Sequence, residues 1–564
     1  AEASFREAIA LKPDFAEAHN NLGNTLRELG KLEEAEQHCR KAIAINPNAA
    51  EVYVNLALVM QESGKLVEAE FNYRQAIQLR PDFAEVHNNL GSVLQDLHKI
   101  EEAVISYRNA TKLAPSFAIA HYNLANALQE LGDYQPSMDS YLEAIRLRPD
   151  YADAHSNAGA ICQEQGKLGE AEEWCRRAVF YCCKPNLAEA SLDSDLAGAY
   201  NNLGMVLRAK GDLDQSVSLF KRAIMIEPES HQAHSNLGAV LRDLGMLEES
   251  VDSLRKAVDI KPDLAIAHNN LGNTFMSLAK VMQARQSYER ALYFQPEFAD
   301  VIWNLVAVQN GIEGAKLLLE RCLSVNPNHL DARCLSAAVF YYEGDQEPFR
   351  TLLKSEFEGH PFVRTLEWVF NLPNLPKLYF NQWRFYDAVF ENSIKSRPFY
   401  EFGVWRGHSF NYLINLYKRG YGFDTFEGLP SDWRLGSLNE KKGSYSARGS
   451  VPQIQGGQFI KGPFEQTLPE FFTHERPLAA LINFDADLYS STICALNFSK
   501  RVIDQDTVLI FDELIINEDW ENHEYKALNE FCASQGLTYD VVALSLTTKQ
   551  VAVKLRNLAQ GVGS

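Results

Sequence analysis

Proline recurs at a fixed interval in this chain. Pro13, Pro47, Pro81, Pro115 and Pro149 are each 34 residues apart, and so are Pro228, Pro262 and Pro296. Alanine keeps the same step at 42, 76, 110, 144, 178, 223, 257 and 291, and Gly or Ala does so at 23, 57, 91, 125, 159, 204, 238 and 272. Small residues at fixed places let two helices approach closely, and a proline after a helix cannot continue it, so the chain must turn. Gly30, Gly64, Gly132, Gly166, Gly211 and Gly245 mark a turn inside each helical hairpin, with His98 and Ala279 in that place in two repeats. The register breaks once, between Gly159 and Gly204, which are 45 residues apart instead of 34. The extra residues lie in Cys182–Ala197, which reads as a longer inter-helix connection.

A 34-residue unit of two helices resembles the tetratricopeptide repeat. The likeness covers roughly residues 1–310, with a shortened unit around Pro327. The expected architecture is an α-solenoid superhelix over residues 1–340, a linker or docking segment over 341–380, and an α/β domain over 381–564. The chain opens inside a repeat with no Met, so its start reads as trimmed.

One column is not explained by packing of small or apolar residues. Asn stands at Asn21, Asn55, Asn89, Asn123, Asn157, Asn202, Asn236, Asn270 and Asn304. Two residues before each stands His19, Tyr53, His87, His121, His155, Tyr200, His234, His268 or Ile302. An Asn amide offers an acceptor and two donors, matching a peptide unit. The pattern AxxHNNLG resembles the repeats of O-GlcNAc transferase, whose asparagine ladder grips extended peptide. The resemblance implies a groove for a polypeptide or glycopeptide. The other reading is that Asn caps or bridges neighbouring helices.

The formal charge is −20, and most of the excess acid precedes residue 381. Phosphate contacts need a basic face, so nucleic acid is not an expected partner. No apolar run is long enough for a membrane span. Nine Cys without a CxxC pair fit no disulfide framework, which suggests reduced thiols and a cytoplasmic setting.

After Asn381 the pattern changes to strand–helix alternation, which implies a doubly wound sheet. Strands are expected at Arg397–Phe402, Tyr421–Phe423, Gln458–Ile460, Ala479–Phe484 and Thr507–Phe511, with Tyr539–Leu544 and Gln550–Leu555 as a closing antiparallel pair. The first strand runs into EFGVWRG, a glycine-bearing turn that lets a ligand approach backbone and helix N-terminus. Asp424 ends the second strand, where such folds place an acid for ribose hydroxyls. Two later strands also end in acid, Asp485 and Asp487 after LINF, and Asp512 and Glu513 after TVLIF.

The blocks EFGVWRGHS, GFDTFEGLP, KGSY, GPFEQTLP, FDADLYSSTICAL and FDEL occur in that order. They resemble the macrocin O-methyltransferase family, S-adenosylmethionine-dependent enzymes with a Rossmann-like fold that methylate hydroxyls, often with magnesium. The resemblance implies that Glu401, Gly403, Gly407 and Ser409 surround the methionine and ribose part of the cofactor. Asp424 would bind the ribose hydroxyls, Asp485, Asp512 and Glu513 would hold Mg²⁺ or another divalent cation, and Asp487 would be the catalytic base. His523 stands where many members have Gly, which leaves its role open. The chemistry is coherent, because a hydroxyl is a poor nucleophile until metal or carboxylate eases proton loss.

The sequence thus points to a metal-assisted O-methyltransferase acting on a small or glycan hydroxyl acceptor, with a repeat arm that recruits protein or pairs two copies. The competing expectations are a catalytically silent repeat scaffold and, suggested by the repeats alone, a glycosyltransferase-like protein. The C-terminal domain is small for the two-lobed architecture that sugar-nucleotide chemistry would need.

Overall fold

The computed structural model describes residues 1–183, 189–429, 431, 433–435, 438–440, 442–486 and 488–557. It divides into two compact units, Ala1–Pro228 and Glu229–Ser564.

The first unit is helical throughout its described length. Its helical hairpins begin with Ala16–Glu28 and Leu32–Ile45, and the same arrangement recurs through Ala152–Glu164 and Leu168–Cys182, whose second helix is one residue longer. The small-residue column has a physical cause that the period alone does not state. A Cβ on Gly23 would lie 2.5 Å from Cys39 Sγ, one on Gly91 2.6 Å from Tyr107, one on Gly159 2.6 Å from Cys175, and one on Gly204 2.8 Å from Phe220. In each hairpin a side chain of the second helix fills the place that a larger residue on the first would take.

The turns close in one way. Gly30 N–H donates to the Arg27 carbonyl and Lys31 N–H to that of Leu26, the paired bonds of a Schellman ending with a left-handed residue at Gly30. His98 and Ala279 make the same bonds at φ 57° and 58°, so both non-glycine turns adopt the left-handed backbone. The histidine column ties down the proline loops. Nε2 of His19, His87, His121 and His155 lies 2.9, 3.0, 3.1 and 2.9 Å from the carbonyl oxygens of Pro13, Pro81, Pro115 and Pro149. The expected connection at Cys182–Ala197 is only partly one. A helix already runs from Glu189 to Ala209, while 184–188 lie outside the described residues.

The second unit begins with further helical hairpins, His231–Asp243 with Leu247–Ile260 and Ala265–Ser277 with Val281–Phe294. Helices follow to Tyr342, then Glu347–Leu352 and Pro361–Phe370 lead into the sheet. The strands are β1 (Lys377–Tyr379), β2 (Phe399–Phe402), β3 (Gly420–Asp424), β4 (Trp433–Leu435), β5 (Leu438–Glu440), β6 (Gly457–Lys461), β7 (Leu481–Phe484), β8 (Val508–Phe511), β9 (Leu537–Ser545) and β10 (Gln550–Asn557). β4 and β5 pair with each other, and the other eight form one mixed sheet in the order β1-β9-β10-β8-β7-β2-β3-β6. The strands β8, β7, β2, β3 and β6 run parallel to one another, and β10 is antiparallel to both β8 and β9. Every residue of β2, β7 and β8 is buried, as a parallel strand covered on both faces requires.

One hydrophobic core joins the last repeats to this sheet. It runs from Leu254 and Val301 through Leu335, Val339 and Phe349 to Phe402, Phe484 and Phe511. The segment 341–380 lies within the second unit and touches its α/β part. Arg364 pairs with Glu521 at 2.9 Å, and Trp368 packs against Trp520 and Tyr525. It also contains β1, parallel to β9, which the sequence conceals behind Pro373 and Pro376.

Candidate functional site

The direction of winding reverses between β2 and β7. From β2 the chain proceeds outward to β3 and β6 on one side, and from β7 to β8 on the other. A crevice at the strand ends of such a switch point is where open α/β sheets place ligands. A cavity of about 410 Å³ opens there, within the range of small-molecule sites.

The glycine turn shapes its floor. Gly403 follows β2 at φ 91°, and a Cβ there would lie 1.7 Å from the Asp485 carbonyl oxygen. Only glycine allows β2 and β7 to end so close together. Gly407, at φ 77°, caps the helix His408–Tyr417. Between them Trp405 also takes a positive φ of 48°. Asp424 holds that bend: its Oδ2 accepts from the Val404 and Trp405 N–H groups, both at 2.7 Å, and its Oδ1 accepts from Phe426 N–H at 2.6 Å. A carboxylate has about four acceptor positions, so Asp424 is chiefly a staple of the turn and keeps little capacity for a ribose.

Six of the expected residues line the cavity: Gly403, Ser409, Asp424, Asp485, Asp512 and Glu513. Glu401 and Gly407 do not. Glu401 is fully buried behind the turn; its Oε1 accepts from Asn483 Nδ2 at 2.9 Å, and its Oε2 has no hydrogen-bond partner among the described residues. Burial pushes its carboxyl up to about 8, Asp512 and Asp424 add to the rise, and Ser409 and Asn483 oppose it. Asp487 lies outside the described residues. His523 is the boundary of the helix Glu524–Gln535 and lies away from the cavity.

The expected metal ligands share the cavity without forming a ligand set. Among the described residues no group of three or more His, Cys, Asp or Glu side chains is placed to hold a metal ion. Asp512 Oδ1 accepts from Gln550, and Glu513 Oε2 accepts from Asn517 at 2.9 Å. Burial and then the neighbouring Glu513 raise the Asp512 carboxyl to about 7. As placed, these carboxylates do not fit a divalent ion.

Sequence reasoning missed one wall of the cavity. Arg242, Gly245, Leu247 and Ser277 line it from the repeat hairpins. His408 Nε2 lies 3.0 Å from the Gly245 carbonyl oxygen, and Trp383 Nε1 donates to the Met276 carbonyl at 2.6 Å. Arg27 and Arg208 hold the same repeat position as Arg242, so nothing in the period singles it out. Trp405, Tyr445 and Phe464 add aromatic surface, and the first of them was visible in the glycine turn.

The asparagine column has a structural use. In the first unit Asn55 Nδ2 donates to Asn20, Asn123 to Asn88, Asn157 to Asn126 and Asn202 to Ser156, at 2.8–3.0 Å. In the second unit Asn304 donates to Asn269 at 2.9 Å. These bonds join adjacent repeats, which is the bridging reading. Asn21, Asn89, Asn236 and Asn270 are half-buried like the rest of the column, so every member keeps some exposed surface.

No helix among the described residues is long and apolar enough to cross a membrane. Descriptions of the tetratricopeptide repeat match residues 16–49, 38–71 and 197–230, and the TPR repeat description matches 62–98, 96–132, 130–166 and 238–279. No curated protein matches the chain. Among solved structures it is similar to Pseudomonas aeruginosa pilF at 20% identity, over 39% of this chain and 94% of that one, with a TM-score of 0.33. It is also similar to YrrB, described as a TPR protein with an unusual peptide-binding site, at 20% identity over 35% and 96% with a TM-score of 0.26. MamA aligns at 23% identity over 32% and 92%, with a TM-score of 0.28. Residues 16–166, 197–230 and 238–279 of this chain are tetratricopeptide repeats.

Proposed function

We propose that the second unit is an S-adenosylmethionine-dependent O-methyltransferase and that the repeats of the first unit recruit its polypeptide or glycopeptide substrate. The observation that carries this reading is the cavity at the β2/β7 switch point, floored by the Gly403–Gly407 turn and rimmed by Asp424, Asp485 and Asp512. Each of the six sequence blocks that resemble the macrocin O-methyltransferase family contributes residues to the lining of that cavity, which supports the same reading.

When bound, S-adenosylmethionine supplies an electrophilic methyl group. The residues of this chain would do the rest. The Gly403–Gly407 turn brings backbone to the ligand, and Asp424 keeps that turn in place. Trp383, Trp405 and Phe464 exclude water and offer flat faces to rings. The acceptor hydroxyl passes its proton to a carboxylate, Asp487 in this reading, as the oxygen takes the methyl group. Magnesium, implied by the resemblance, belongs to the proposal only on one condition. Asp512 would have to release Gln550, and Glu513 would have to release Asn517.

The test is ultraviolet crosslinking of the full chain with methyl-tritiated S-adenosylmethionine. Labelling that excess S-adenosylhomocysteine suppresses supports the enzyme. Absent labelling leaves the second reading, a repeat scaffold for protein partners. That reading is favoured by the matched repeats and by the partly exposed asparagine column.

A further inference from the structure

The ligand cavity is built jointly by the sheet and by the repeat hairpins at residues 231–277, and the hairpins bring a guanidinium to its lining. Five carboxylates line the cavity: Asp424, Glu465, Asp485, Asp512 and Glu513. Among the described lining residues Arg242 is the sole Lys or Arg. The other candidate cation, His408, has its Nε2 against the Gly245 carbonyl.

The position of Arg242 is fixed by its surroundings. It stands in the last turn of the helix His231–Asp243, three residues before the left-handed Gly245. Gly245 sits so near the glycine turn that a Cβ would come 2.6 Å from Arg406 Cδ and 2.8 Å from Trp405 Cη2. The Arg242 side chain is 23% exposed and its Nη2 donates to Asp243 at 3.1 Å. A guanidinium has five donors in a planar fork, so that contact leaves capacity for a second carboxylate.

We propose that Arg242 is a specificity-determining residue that binds the carboxylate of the methionine part of the cofactor. The inference rests on the S-adenosylmethionine reading. That ligand is a zwitterion at its amino-acid end, with a sulfonium nearby. Its positive centres suit a cavity rimmed by acids, and Arg242 is the guanidinium among the described lining residues that can meet its carboxylate. The repeat hairpin is therefore part of the ligand site and not a detachable arm.

Calorimetry on the full chain with two ligands tests this. S-adenosylhomocysteine carries the carboxylate, and 5′-methylthioadenosine lacks the whole amino-acid part. Arg242→Gln is expected to weaken S-adenosylhomocysteine by roughly 10- to 100-fold, the usual cost of one charged hydrogen-bonded contact. It should leave 5′-methylthioadenosine within about twofold of the unsubstituted chain, because that ligand makes no such contact. Arg242→Lys, which keeps the charge without the fork, should recover part of the loss. Unchanged binding of S-adenosylhomocysteine by Arg242→Gln would overturn the assignment, and so would an equal loss for both ligands, which indicates general damage. If the unsubstituted chain binds neither nucleoside, the methyltransferase reading falls first and this inference with it.

Discussion

His408 Nε2 lies 3.0 Å from the backbone carbonyl oxygen of Gly245. One residue opens the helix after the glycine turn, and the other is the left-handed turn of a repeat hairpin. The solenoid pattern and the α/β pattern, which look separable in the sequence, meet at the cavity itself.

That meeting predicts an asymmetry between equivalent glycines. Gly211 and Gly245 hold the same repeat position at φ 81° and 69°, but a Cβ on Gly211 would touch nothing within 4 Å. Gly211→Ala should cost only the left-handed backbone term, about 1 kcal/mol. Gly245→Ala pays that and also displaces Trp405 and Arg406, for a total of about 2–4 kcal/mol. Denaturant unfolding of both variants checks the difference, and equal losses would mean that the hairpin is not pressed against the turn.

His98 occupies the same hairpin position with φ 57° and an exposed side chain. Replacing it with glycine removes the left-handed strain, so His98→Gly should stabilise the first unit by about 1 kcal/mol. Thermal unfolding followed by circular dichroism reads this directly. A destabilised variant would show that the histidine ring contributes more than its backbone costs.

Glu401 makes stability depend on pH in an unusual direction. Its carboxyl is raised from 4.5 to about 8 by burial. The folded state holds this proton where the unfolded state has lost it. The contribution is therefore full below about pH 4.5 and falls as pH rises towards 8, with a slope of at most about 1.4 kcal/mol per pH unit. Glu401→Gln, which cannot ionise, should flatten that decline and be the more stable form at pH 8. Melting temperatures from pH 5 to 8 measure it, and parallel curves for the two proteins would contradict the assignment.

Much of the architecture was legible in the sequence because it repeats. The 34-residue step placed the helices, and the turns at His98 and Ala279 were visible as substitutions in a glycine column. Five parallel strands and the closing antiparallel pair followed from short apolar runs between turn residues. β1 was hidden because three residues between proline and aromatic clusters carry no period. Asp424 was read as a ligand acid, whereas the structure uses most of its capacity on backbone N–H groups. That use depends on the bend of Gly403–Gly407, which no spacing rule reports. Asp485, Asp512 and Glu513 all line the cavity, but Gln550 engages Asp512 from 38 residues away, and Asn517 engages Glu513 from the loop that follows β8. Arg242 was invisible because its importance lies only in what the hairpin packs against.

Titration calorimetry of the full chain decides between an enzyme and a scaffold. With S-adenosylhomocysteine in the cell-free protein solution, the switch-point cavity predicts one site per chain with a micromolar-range Kd, roughly −8 kcal/mol, and no heat from a uridine-diphosphate sugar. Silence towards S-adenosylhomocysteine, or binding of the sugar nucleotide in its place, would contradict the methyltransferase reading.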